Sequence, residues 1–233
     1  MRIPLTRYGL PQVIIYPLIV IVLMLVLFLL FRAMPWLIPA EIILFLVFLW
    51  MLSFFRDPLR NIKIDDSLLL SPADGVVTDI SYVEDSGNLS GSDGLQSTTL
   101  RIGIFLSVFN VHINRFPCAV RVEKISYKKG AFKNAMSAES GKINESNDIL
   151  MVRLGKPEDK ILVRQISGAI ARHIVCEAKE ASRYRQGEAF GMIKFGSRTE
   201  LYLPAAREEN FEVTVKIGDK VRAGLTPLVR YLK

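Results

Sequence analysis

The 233-residue sequence holds only two cysteines, two histidines and two tryptophans. Cys118 and Cys176 stand 58 residues apart with no metal-ligand spacing. A disulfide scaffold is therefore excluded, and both read as reduced core thiols in a reducing compartment. Charge is missing from one long stretch: between Val13 and Phe55 only Arg32 and Glu41 carry any. With 50% hydrophobic residues overall, that gap excludes a disordered chain, a collagen-like chain and a wholly soluble cytosolic enzyme. The net charge of +7 comes without a basic helix or an aromatic–basic stripe, so nucleic acid is not an expected partner.

What fills the uncharged stretch is apolar. Val13 to Phe31 forms a nineteen-residue run, about the length that crosses a ~30 Å hydrocarbon core as a helix. Pro17 falls near its start, where a missing N–H costs little. Two prolines after Arg32 break the run, and a second one, Ile42 to Phe55, is barely long enough to span even with Pro39 and Ala40 added. Tyr16, Trp36 and Trp50 suit interfacial belts. Arg2 and Arg7 precede the first run, and Arg56, Arg60 and Lys63 follow the second. Basic residues on both outer flanks predict a hairpin with both ends cytoplasmic, next to an anionic lipid surface. A cleavable signal peptide fits less well, because the run is long and no small-x-small site follows it.

From Leu68 onward the pattern is mostly of period 2. Strands are expected at Gly75–Tyr82, Thr98–Leu106, Val120–Tyr127, Ile149–Leu154, Lys160–Ile166, His173–Ala178, Met192–Phe195, Thr199–Tyr202, Phe211–Val215 and Leu228–Tyr231. Helical stretches are expected only around Ser107–Asn110 and Gly168–Arg172. Asp85 to Ser97 reads as a surface loop. The expected fold is a β-dominated α+β catalytic domain, barrel-sandwich-like, carrying an N-terminal transmembrane helical hairpin. The hairpin takes residues 1–56 and the domain 57–233.

Four residues stand out chemically. Ser197 follows Gly196 between two strand-like runs. The pair suits a tight hairpin turn, but a glycine before a serine also exposes a carbonyl to attack by the hydroxyl and can reach strained backbone angles. A serine needs a nearby base for that. His112, directly after an apolar strand and between Asn110 and Asn114, can be a general acid/base or a hydrogen-bonded structural group. His173 sits among core-like residues and reads as structural. Asp74 can orient a histidine or simply form an Asp-Gly turn.

Five segments in order carry a resemblance: Phe54-Phe55-Arg56-Asp57-Pro58, Ser71-Pro72-Ala73-Asp74-Gly75, Val111-His112-Ile113-Asn114-Arg115, Gln165 to Arg172 and Phe190 to Arg198. Together they resemble the phosphatidylserine decarboxylase family, in its short bacterial, membrane-anchored form. The resemblance implies a proenzyme cut between Gly196 and Ser197, giving a β chain 1–196 and an α chain 197–233 that stay packed together. It implies a covalent pyruvoyl group made from Ser197 as the cofactor, with neither metal nor pyridoxal phosphate. That group would form a Schiff base with phosphatidylserine, release carbon dioxide and leave phosphatidylethanolamine. Asp74 and His112 would assist the cleavage, and His112 would protonate the carbanion. Arg115 and Arg56 are cationic candidates for the phosphate. The implied location is the bacterial cytoplasmic membrane, with the domain on the cytoplasmic side; a homo-oligomer is left open.

Two positions depart from the family pattern. Arg115 stands where longer relatives carry a second histidine, and Ser146 completes Asn144-Glu145-Ser146 where short relatives carry Asn-Glu-Arg. Two other readings stay open. Val215 to Gly224 resembles the strands of biotinyl and lipoyl carriers, so an anchored adaptor or carrier without enzymatic activity is one. A decarboxylase of another serine-headed lipid is the other.

Overall fold

The computed structural model describes residues 5–31, 35–84, 98–131, 143–168, 173–194, 196–205 and 210–232. The expected loop over 85–97, most of the expected helical stretch at 168–172, and Arg2, Arg32 and Phe195 lie outside the described residues. The chain divides into two compact units, Met1–Leu59 and Arg60–Lys233; the expected boundary after residue 56 falls three residues earlier.

The first unit holds two helices, α1 (Gln12–Phe31) and α2 (Ile38–Phe54). Pro17 lies six residues into α1, so its missing N–H removes one bond near the start. Pro39 opens α2, where its fixed φ suits the first turn. At the other end of α2, Arg56 Nη1 donates to the Ser53 carbonyl at 2.6 Å and to Ser53 Oγ at 2.9 Å, a cation on the last turn. The N-terminal segment returns to that end, with Thr6 N–H donating to the Phe55 carbonyl at 2.9 Å. Gln12–Leu30 has a mean hydropathy of 3.3 and, among the described residues, is the one helix long and apolar enough to cross a membrane. Helix α2, with 17 residues, falls short of that length. Ile14, Leu18, Val22, Leu25 and Leu29 of α1 are exposed.

The second unit is β-dominated. Its strands are β1 (Leu68–Leu70), β2 (Gly75–Glu84), β3 (Thr98–Leu106), β4 (Ile113–Arg115), β5 (Val120–Lys128), β6 (Ser146–Arg153), β7 (Lys160–Ile166), β8 (Ile174–Cys176), β9 (Arg183–Tyr184), β10 (Ala189–Ile193), β11 (Ser197–Pro204), β12 (Phe211–Val213), β13 (Lys220–Val221) and β14 (Pro227–Tyr231). Eight of them form one antiparallel sheet in the order β13-β2-β3-β11-β7-β6-β5-β9, curled into a half-barrel. Two three-stranded sheets, β4-β10-β8 and β1-β14-β12, complete the unit.

Alternation fixes which face of the large sheet is buried. Leu100, Ile102, Ile104 and Leu106 of β3, Val163 of β7, Ile149 of β6 and Leu201 and Leu203 of β11 share one core. Phe116 anchors it, stacked on Tyr184 with centroids 4.4 Å apart and tilted against Phe190 at 4.7 Å. Cys118 is buried in this core, and burial pushes its thiol up to about 12; Cys176 is half-buried, and neither is in a disulfide.

Strands β3 and β7 match the expected spans residue for residue, β3 on its alternating apolar positions and β7 on a short apolar run, Ile161–Val163, between polar residues. Ser107–Asn110 is a tight turn rather than a helix. Asn110 Oδ1 accepts from Ser107 N–H and Ser107 Oγ, both at 2.8 Å, and these local bonds replace helical ones. His173 is exposed rather than a core residue; its carbonyl accepts from Lys194 N–H at 3.3 Å.

Candidate functional site

Gly196 and Ser197 sit where the chain leaves one sheet for another. Strand β10 belongs to the β4-β10-β8 sheet, and β11 runs through the middle of the half-barrel. The three residues between them must turn a corner, and Gly196 does so at φ +62, a region other L-residues enter at a cost of about 1–2 kcal/mol. Among the described residues, chain neighbours aside, no atom lies within 4 Å of where a side chain on Gly196 would begin. Ser197, by contrast, is fully buried, and its Oγ has no hydrogen-bond partner among the described residues.

Two connections bring His112 to this corner. Leu106 pairs with Ser197 at the end of the β3–β11 ladder, and the Ser107–Asn110 turn leads from there to His112. Ile113, the next residue, pairs with Met192, five residues ahead of Ser197. His112 is fully buried, and its Nδ1 lies 2.9 Å from the Asn110 carbonyl. A carbonyl can only accept, so Nδ1 carries the proton and Nε2 of the neutral ring is the basic nitrogen.

Asp74 is placed differently. Its carboxylate takes a fork from Arg60, Nη1 to Oδ1 at 2.7 Å and Nη2 to Oδ2 at 2.8 Å, and accepts the Ala223 N–H at 2.7 Å. His112 Nδ1 is held by a peptide carbonyl, and the Asp74 carboxylate by a guanidinium and an amide. Arg115 Nη1 donates to the Gly187 carbonyl at 3.1 Å, beside a cleft of about 510 Å³ lined in part by Ile62, Arg185 and Gly187. Arg56 belongs to the first unit, on the end of α2.

Several polar residues at this corner could not be singled out from the sequence. Asn114 Nδ2 donates to Thr199 Oγ1 at 3.1 Å, Gln165 Nε2 to Asn114 Oδ1 at 2.9 Å, and Asn147 Nδ2 to Gln165 Oε1 at 3.0 Å. All four are buried and come from four different strands, so they form a polar floor one layer below Ser197. The only signal in the sequence was polar residues at inward positions of otherwise apolar strands. Lys194, three residues before Ser197, is also buried, and burial lowers the proton affinity of its amine. Ser167 is buried at the end of β7. Among the described residues no group of three or more His, Cys, Asp or Glu is placed to hold a metal ion.

A buried hydroxyl next to a left-handed glycine, with a buried imidazole reached from the end of the β3–β11 ladder, suits acyl transfer within the backbone.

Comparison with known proteins agrees with this. The family model described as phosphatidylserine decarboxylase matches residues 47–228. The chain is 41% identical over 189 residues to the phosphatidylserine decarboxylase proenzyme of Carboxydothermus hydrogenoformans, covering 81% of this chain and 83% of that one. It is 40% identical over 234 residues to the proenzyme of the same name from Rhodopirellula baltica, covering 98% and 89%. With that of Wolbachia pipientis wMel it shares 42% over 173 residues, covering 74% and 72%.

Proposed function

The chain belongs to the phosphatidylserine decarboxylase family, and on that premise we propose that it is a self-processing decarboxylase that makes its own keto cofactor from Ser197. The enzyme converts phosphatidylserine to phosphatidylethanolamine and carbon dioxide. The observation that carries the processing step is the buried, unbonded Ser197 Oγ beside a left-handed Gly196.

Processing uses the chain's own groups. His112 Nε2 takes the Ser197 hydroxyl proton, and Oγ bonds to the Gly196 carbonyl carbon. The Gly196–Ser197 C–N bond breaks as the proton passes to the amine, leaving an ester. Loss of the Ser197 Cα proton expels the Gly196 carboxylate as the end of a β chain 1–196. Water then replaces the nitrogen, which leaves as ammonia, and the α chain 197–233 begins with a pyruvoyl group. The corner fits such a group: position 197 is enclosed, while the side over Gly196 is open. When present, the pyruvoyl group supplies an electron sink for the pair left behind as carbon dioxide departs. His112 then returns a proton to the substrate's α-carbon.

The remaining groups hold the pieces together. Asp74 joins Arg60 of the β chain to the Ala223 N–H of the α chain. Arg115, with Arg185 on the nearby cleft wall, is the cationic site proposed for the lipid phosphate; Arg56 is engaged at the end of α2. The apolar unit 1–59 is proposed as the bilayer anchor. Helix α1, at about 1.5 Å per residue, is about 30 Å long and presents Leu, Ile and Val outward. A cytoplasmic-membrane location with the β unit on the cytoplasmic side follows from the basic flanks.

The test is the intact mass under denaturing conditions. The parent chain should give two fragments, the second with a blocked N-terminus. Ser197→Ala should give one uncut, inactive chain. Efficient cutting of Ser197→Ala would remove the nucleophile assignment.

A further inference from the structure

Ser167 has the same anomaly as Ser197. Its side chain is fully buried and its Oγ has no hydrogen-bond partner among the described residues. Native structures leave few buried polar atoms unsatisfied, and each asks for a reason.

The register puts the two hydroxyls together. Thr199 pairs with Gln165 and Arg198 with Ile166 in the antiparallel β7–β11 ladder. Arg198–Ile166 is the last pair of that ladder; its register carried one residue on sets Ser197 against Ser167, and directly opposed residues share a face with Cβ atoms about 5 Å apart. That face is the inner one, since Thr199 and Gln165 on it reach the polar floor. Ser167 cannot move away: its N–H donates to the Glu145 carbonyl at 2.9 Å, and its own carbonyl accepts from Asn144 Nδ2 at 2.8 Å.

The amide donors of Asn114 and Gln165 are already spent. Asn114 has two amide N–H groups, spent on the Pro72 carbonyl at 3.3 Å and on Thr199 Oγ1. Gln165 spends its two on Asn114 Oδ1 and on the Val175 carbonyl at 3.3 Å. The two side-chain carbonyl oxygens of that pair already accept bonds as well. The hydroxyls of Ser167 and Ser197, neither with a partner among the described residues, are left available to each other.

We propose that Ser167 is a second catalytic hydroxyl, which donates to the oxygen carried by residue 197 as that residue reacts, before and after cutting. In the precursor that oxygen is Ser197 Oγ; the structure does not hold this bond, and a rotation of the Ser167 side chain forms it as the Ser197 O–H turns to His112 and a lone pair to the Gly196 carbonyl. In the cut enzyme, and here the inference rests on the processing reading above, the oxygen is that of the ketone. A donor there draws density from the carbonyl carbon and makes it more reactive toward the amine of a serine-headed lipid. Ser167 keeps its proton throughout.

The experiment uses the full chain in detergent, with the parent, Ser167→Ala, Ser167→Thr and Ser167→Cys compared. The first readout is the rate of self-cleavage by denaturing mass spectrometry. The second is the infrared stretch of the ketone in chains carrying serine labelled with carbon-13 at Cα, the carbon that becomes the ketone. One lost hydrogen bond should slow cleavage of Ser167→Ala about three- to tenfold and move the ketone band to higher wavenumber. Ser167→Thr, which keeps the hydroxyl, should restore both, and Ser167→Cys, a weak donor, should not. The idea is overturned if Ser167→Ala cleaves at the parent rate with an unmoved band. Should Ser167→Ala fail to fold, equal behaviour of the threonine and cysteine variants overturns it instead. An uncut parent chain is a separate result: it removes the processing reading, and this proposal with it.

Discussion

The two faces of β11 make opposite use of polar groups. Outward, Arg198 and Glu200 are both fully buried and bonded, Nε to Oε1, at 2.7 Å. Arg198 Nη1 also donates to Thr78 Oγ1 at 2.7 Å, and Tyr202 OH donates to Glu200 Oε2 at 2.5 Å. Around them, Arg101 pairs with Asp79 at 2.7 Å and Arg164 with Asp148 at 2.6 Å. Gly103 is needed here, because any side chain on it would overlap the Arg198 guanidinium. Inward, the same strand begins with a hydroxyl, that of Ser197, which has no hydrogen-bond partner among the described residues. A polar group surrounded by partners holds a strand in place, whereas one without them is available to react. The first residue of the proposed α chain is thus the reactive one, and the second is the most firmly bound.

Breaking the outward network should have the largest effect on stability. Arg198→Ala leaves the Glu200 carboxylate buried without its cation, a loss of about 3–5 kcal/mol in chemical denaturation. Replacing the pair with Arg198→Met and Glu200→Leu together should recover most of it, because no orphaned charge remains. If the double variant is as unstable as the single one, the network is not acting as a matched pair.

The next effect in size is alkaline. Burial, then the nearby Glu200 carboxylate, raises the Tyr202 hydroxyl above its usual value of 10. A raised value in the folded state means that the hydroxyl's contribution is intact below about pH 10. It is lost as pH climbs from there toward the folded value, by up to about 1.4 kcal/mol per unit. Tyr202→Phe should flatten that alkaline decline and lower neutral stability by about 2 kcal/mol, having removed a bond to a charged acceptor. Melting curves at pH 7, 9 and 11 decide it; an unchanged decline in the variant places the titrating group elsewhere.

Gly196, Ser197 and His112 of the inward corner are legible in the sequence as candidates, whereas the outward ion pairs and the polar floor are not. Alternating apolar positions in Thr98–Leu106 mark β3, and the apolar run Ile161–Val163 marks β7. Strands β4, β9 and β13, of three, two and two residues, are too short to show any period. The Gly196–Ser197 pair stood out, yet as a hairpin turn; that it crosses between sheets depends on β10 pairing with β4 and β8. Asp74 was noticed for its motif, but its partner Arg60 comes from the segment just after the apolar unit, which no spacing rule links to it. The floor is hidden for a plainer reason. Thr199 and Asn114 are 85 residues apart, and Gln165 and Asn114 are 51 apart, so only the closed fold makes them neighbours.

The smallest effect on stability should come from the inward face, with the most specific consequence. Thr199→Val removes the acceptor for one Asn114 N–H and keeps the side-chain shape. Leaving that amide unsatisfied should lower stability by about 1 kcal/mol, well below the outward losses. The released N–H is then available to the hydroxyls of the next layer, Ser197 among them. A bond there ties up the lone pair that must reach the Gly196 carbonyl, so self-cleavage should slow several-fold although nothing in the reacting set has changed. Tyr202→Phe, with the larger stability loss, should cleave near the parent rate. If Thr199→Val also cleaves at that rate, a saturated floor is not what keeps the corner reactive, and the contrast between the two faces reduces to one of stability alone.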